Sequence, residues 1–127
     1  MSRYTIPNAP GAPEDRVTTV GWDGPLNSYF AMAFDPPTTG DEDYAEVFWI
    51  GYTPCELPDV ASLVTALRAH GVEVPPFTLD ALRMDKPNEG ENFAGRPATR
   101  LIAEMARPHV PADQQARIDA ALGGGSR

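Results

Sequence analysis

The chain has almost no cysteine: Cys55 is the only one in 127 residues. An internal disulfide is therefore excluded, and so is a cysteine-based zinc site. Histidine is nearly as scarce. His70 and His109 have no metal-ligand spacing with each other or with nearby carboxylates, so no metal site is expected. Basic residues are almost missing from one half. Residues 1–67 hold ten carboxylates against Arg3 and Arg16, a net charge of −8, while residues 68–127 balance to zero. An acidic surface repels phosphate backbones, which disfavours direct nucleic-acid binding and favours a basic partner, although the same charge also serves solubility. No stretch approaches the ~18 apolar residues that span a bilayer, and the first residues lack a basic-then-apolar signal pattern. No membrane association is expected, and cytoplasmic residence is the expectation. G-x-S-x-G, P-loop and G-x-G-x-x-G patterns are all missing, and no cofactor is expected.

An apolar fraction of 42% with 22% charged residues is that of an ordinary globular chain of one-domain length. Fourteen prolines and eleven glycines stand between periodic segments, which predicts short elements with firm stops. Residues 1–15, with Pro7, Pro10, Gly11 and Pro13, read as an extended or disordered arm that Tyr4 and Ile6 can pin to the body. Residues 16–122 read as a single domain, and residues 123–127, opening on three glycines, as a flexible tail.

Three strands are expected. Arg16–Trp22 carries the β-branched run Val17–Val20, and Asp23-Gly24-Pro25 supplies turn chemistry. Ser28–Asp35 alternates, with Phe30, Met32 and Phe34 on one face and Tyr29, Ala31 and Ala33 on the other. The large-versus-small split implies that one face packs the core while the other lies close to something thin. Tyr44–Tyr52, after the acidic tip Pro36–Asp43, is apolar on both faces, which implies burial on both sides or cover by a partner.

The second half reads as helical. Thr53-Pro54-Cys55-Glu56 has the form of a capping box, but Pro58 spoils a continuous helix, so one turn is expected there and then a main helix from Pro58 to about His70. Leu57, Val60, Leu63, Val64 and Leu67 keep helical spacing there, and Gly71 stops it. Leu79–Asp85 reads as a short helix capped by Thr78 and ended by Pro87, with a polar loop over Asn88–Gly95. Pro97–Arg107 and Pro111–Leu122 read as two more helices.

Candidate chemistry is thin. Cys55 lies near a helix start, which lowers a thiol pKa, but His70 is roughly 18 Å away along a straight helix. Asp23 and Asp35 bracket the second strand and read as turn and strand-end residues. The acidic cluster Asp41, Glu42, Asp43 and Glu46 lacks the ligand pattern of a calcium loop and reads as a solvated tip or an acidic contact surface. The aromatics Trp22, Tyr29, Tyr44, Trp49 and Tyr52 fall among these carboxylates, a composition shared by cores and interfaces. Together, Trp22, Tyr29, Asp41, Glu42, Asp43, Tyr44, Glu46, Trp49 and Tyr52 form the candidate interaction surface. Arg96, Arg100 and Arg107 read as a solvated face, an anion patch or partners for the acidic half.

Val20-Gly21-Trp22-Asp23-Gly24-Pro25-Leu26, with Tyr29-Phe30-Ala31 and Phe48-Trp49-Ile50-Gly51, resembles small uncharacterised bacterial proteins carried on plasmids and other mobile elements. The resemblance covers about residues 17–75 and implies no activity. The expectation is an α+β domain: a three-stranded antiparallel sheet packed by three or four short helices. Its expected function is non-enzymatic protein interaction or regulation, with a basic protein or a second copy as partner. The alternatives are an acidic inhibitor that mimics nucleic acid and blocks a basic nucleic-acid-processing protein, and a small enzyme with an unrecognised site.

Overall fold

Strand formation follows the β-branched and aromatic runs. The computed structural model describes residues 2–37, 40, 43–89 and 97–123. Val17–Asp23 (β2) and Ser28–Asp35 (β3) pair antiparallel from Val17↔Phe34 to Asp23↔Ser28. Their turn is built from local chemistry. Asn27 takes a left-handed φ of 52°, its N–H bonds the Gly24 carbonyl, and the Asp23 carboxylate accepts from the Leu26 N–H at 3.2 Å. Ala45–Ile50 (β4) adds beside β3. The sheet has four strands rather than the expected three, because Tyr4–Ile6 (β1) pairs with β2 at the other edge. Three β-compatible residues ahead of Pro7 are too few to stand out from a Pro/Gly-rich arm. The strand and the residues after it are held by side-chain bonds: the Tyr4 hydroxyl donates to Asp85 at 2.8 and 3.0 Å, and Thr18 Oγ1 donates to Asn8 Oδ1 at 2.6 Å.

Val60–Arg68 (α1) starts at a reciprocal cap. Asp59 accepts from the Ser62 N–H at 2.8 Å, and Ser62 Oγ accepts from the Asp59 N–H at 3.3 Å. It ends at Gly71, where the Val72 N–H bonds the Leu67 carbonyl at 3.0 Å. Thr53 and Glu56 do bond each other, at 2.6 Å between Thr53 Oγ1 and Glu56 Oε1, yet they close a turn and not a helix. Pro76–Glu89 (α2) is longer than expected at both ends. Pro76 suits a first helical position, Thr78 lies inside the helix and does not cap it, and Pro87 falls in the last turn, where its missing N–H forfeits a single bond. Pro97–Ala106 (α3), a 3₁₀ turn over Arg107–His109 and Ala112–Ala121 (α4) complete the chain.

The core lies between one sheet face and the first two helices, through the contacts of α1 with β3 and α2 with β2. Leu63, Leu67 and Leu82 are fully buried against Val20, Trp22, Ala31 and Ala33. Each such aliphatic side chain contributes about 1.5–3 kcal/mol before entropy is charged. The α3–α4 pair forms a second cluster of Cys55, Ala103 and Ile118. It docks on the turn after β4 through Gln114, which donates to Thr53 Oγ1 and the Pro54 carbonyl at 2.8 Å, and through Arg117, which donates to the Cys55 carbonyl at 2.9 Å. No described helix is long and apolar enough to cross a membrane.

Candidate functional site: the open face of the sheet

The alternation along β3 decides which residues meet solvent. Tyr29, Ala31 and Ala33 face the helices. The methyl groups of Ala31 and Ala33 let α1 approach closely enough for Leu63 and Leu67 to reach the sheet, so the thin side is the core side. Phe30, Met32 and Phe34 point the other way, onto a face that none of the described helices covers. Trp49 lies opposite Met32 there and is 44% exposed; Tyr52 follows at 57%. Their rings sit 5.8 Å apart, tilted by 48°. Phe30 closes the floor. Its ring lies across Gly21, where a side chain would collide with that ring and with the Ser2 carbonyl. Gly51, at a φ of 76°, lies so close to Tyr29 that a Cβ would strike the Tyr29 carbonyl oxygen.

These residues enclose a cavity of about 320 Å³. Leu26, Phe30, Met32, Trp49 and Tyr52 supply its apolar lining, and Arg3 and Asp23 its charged groups. An apolar, aromatic hollow of this size with a few polar groups in its lining has the composition of a binding site. At about 200 Å² per aromatic side chain, Trp49 and Tyr52 alone leave on the order of 200 Å² in water. Glu46 extends the same face, opposite Phe34. Because Glu46 pairs with Phe34 and Phe48 with Ala33, Val47 is an extra, bulged residue.

The expected surface residues thus divide. Trp49, Tyr52 and Glu46 share the open side of the sheet, and Asp43 and Tyr44 are exposed just ahead of β4. Asp41 and Glu42 lie outside the described residues. Trp22 and Tyr29 belong to the core and not to a surface. Trp22 is 0% exposed, its ring 4.8 Å from Tyr29 in an edge-on pair, with Lys86 Nζ 5.3 Å over it. The Tyr29 hydroxyl donates to the Leu82 carbonyl at 2.8 Å, and burial, reinforced by Asp85 and Asp59, pushes its pKa up. Both side chains alternate toward the helices from paired positions, Trp22↔Tyr29. Of the cavity residues only Trp49 and Tyr52 stand in the expected surface; Arg3, Asp23, Leu26, Phe30, Met32 and Gly51 do not, because only tertiary contact brings the arm and the β2–β3 turn to Trp49.

Other clusters are structural in their bonding. Asp35 accepts from Arg16 at 2.7 and 3.0 Å, which lowers the Asp35 pKa. Asp23 and Asp35 stand at opposite ends of β3, about 23 Å apart at 3.3 Å per residue, too far for joint acid–base work. Cys55 is buried with a left-handed φ of 57°, and the Asn27 amide lies 3.5 Å from its sulfur. His70 stacks on Phe48 at 4.3 Å, and His109 lies exposed in the 3₁₀ turn. Among the described residues no group of three His, Cys, Asp or Glu side chains could hold a metal. A larger concavity of about 730 Å³ lies between α1 and α2, where Asp59 caps α1, Arg68 pairs with Glu73, and Lys86 donates to the Pro58 carbonyl. Arg107 is held by Asp119 at 2.7 and 2.9 Å, and Arg100 reaches the Leu122 carbonyl at 3.4 Å; Arg96 is outside the described residues.

No family model matches the chain, and neither the curated proteins nor the solved structures hold a match.

Proposed function

We propose that this protein is a non-enzymatic binding module whose working surface is the open face of its sheet. The observation that carries the reading is the half-exposed Trp49–Tyr52 pair over the apolar cavity at Met32 and Phe30. Large rings left half in water, on a floor fixed by Gly21 and Gly51, have the make-up of an interface anchor site.

The face, rather than the edge, is the favoured contact. β4 is an edge strand, and adding a second β4 alongside would continue the sheet. The Val47 bulge breaks its hydrogen-bonding register, and Glu46 places a charge there, two devices that discourage strand addition. The middle of the open face is apolar instead of an array of carboxylates, which favours a protein partner over nucleic-acid mimicry.

The test is differential retention. Immobilised wild type, a Trp49→Lys variant and a helix-side control, Phe77→Ser, at an exposed residue in the first turn of α2, are exposed to extract from the source cell. A protein held by wild type and control but lost by Trp49→Lys supports the reading. Equal retention by all three contradicts it. Light scattering separates self-association: a dimer that Trp49→Lys dissolves would place a second copy on this face.

A further inference from the structure

The open face has a chemistry as well as a shape, and the inference here rests on the reading just given. We infer that its occupant is a segment of a different, basic protein, which inserts one large apolar side chain into the cavity and sets Lys or Arg residues against the surrounding carboxylates.

Three observations converge on that occupant. The cavity of about 320 Å³ is at the small end of ligand sites, the scale of one bulky side chain and its backbone. Its walls are aromatic and methionine surface, which adapts to an apolar anchor of varied shape. The floor is already formed, since Phe30 is buried at 3% exposure, so no ordering cost falls on it when the anchor enters.

Charge then selects the partner. Only two cations occur in residues 1–67, and Arg16 is taken by both oxygens of Asp35. Among the described residues that line the cavity, Arg3 is the one cation and Asp23 the one carboxylate, while Glu46, opposite Phe34, and the Glu56 carboxylate, which accepts from the Gly51 N–H at 2.9 Å, add negative charge beside it. A neutral segment would gain nothing from this field. A second copy, also carrying −8, would be repelled by it. A basic segment is attracted, and its cations have the faces of Trp49 and Tyr52 to pack on as well. The bulge in β4 implies that the segment crosses the sheet face and does not extend its edge.

A phage-displayed library of random peptides, selected on the full chain, tests this directly. Enriched peptides are expected to share one large apolar residue flanked by Lys or Arg. A resynthesised peptide should lose about tenfold or more in affinity against Trp49→Ala or Tyr52→Ala. It should lose several-fold against the doubly neutralised Asp23→Asn/Glu46→Gln variant, whose new amide oxygen in the β2–β3 turn can still accept the Leu26 N–H, and nothing against Phe77→Ser. Raising salt from about 50 to 300 mM should weaken binding to wild type far more than to the neutralised variant. Peptides that need Trp49 but are neutral or acidic would overturn the basic partner while leaving the open face as docking surface. Peptides indifferent to Trp49 and Tyr52 would overturn both. No enrichment, or a salt-insensitive dimer on this face, would overturn the inference.

Discussion

Enlarging Ala33 separates the two faces of the sheet more sharply than any truncation. Ala33 is fully buried beneath α1, in the cluster that holds Leu63 and Leu67. Ala33→Leu adds three carbons where the helix already touches the strand, so either α1 lifts or neighbouring side chains leave their rotamers. Overpacking of this kind costs about 1–3 kcal/mol. For a chain of 127 residues, unfolding entropy near 2.1 cal/mol/K per residue converts that to a drop of about 4–11 °C in Tm. The matched control is Thr19→Leu. Thr19 pairs with Met32 on the uncovered face, where added bulk meets solvent, and the change should stay within about 0.5 kcal/mol. Differential scanning calorimetry reads both. Equal losses, or a larger loss for Thr19→Leu, would mean that the helices cover the other face, and the reasoning would fall.

Two further outcomes follow from the same geometry. Gly51→Ala should destabilise by at least about 2 kcal/mol, because it adds a left-handed penalty to a collision with the Tyr29 carbonyl; a neutral result in urea unfolding would contradict the close approach. The Arg16–Asp35 pair predicts an acid limb. The Asp35 pKa is lowered in the fold by its hydrogen bonds to Arg16, so its contribution is complete above the unfolded value, near 3.9, and is lost as pH falls through the lower folded value. Arg16→Gln should reduce stability at neutral pH and flatten its decline below about pH 4; an unchanged acid limb in pH-dependent melts would count against the pair.

Much of the scaffold was legible because local chemistry and tertiary demand agree. The β-branched run at Val17–Val20, the turn at Asp23-Gly24 and the alternation of Ser28–Asp35 specify β2 and β3 almost to the residue. The helical spacing of Val60, Leu63 and Leu67 specifies α1, which Asp59 caps. What was not legible depends on distant contact. Tyr4–Ile6 becomes a strand because β2 offers an edge and Asp85 holds the Tyr4 hydroxyl. Residues before Leu79 and beyond Asp85 join α2 because Pro is tolerated in first and last turns. The unbroken apolar run Val47–Ile50 marked β4 as either doubly buried or left for a partner. It is an edge strand with one side toward the core and Trp49 toward water. Composition placed Trp22 and Tyr29 in the same aromatic set as Trp49, and only strand parity assigns them to opposite sides.

That parity makes the two tryptophans natural reporters, one for each face, and acrylamide quenching of their fluorescence shows whether the second face is open. Trp22 is 0% exposed and Trp49 44%. Two populations are expected in the wild type, one readily quenched and one protected, with the quenched population disappearing in Trp49→Phe. A single protected population in the purified wild-type protein would contradict the open face, because it would mean that the face assigned to a partner is already covered.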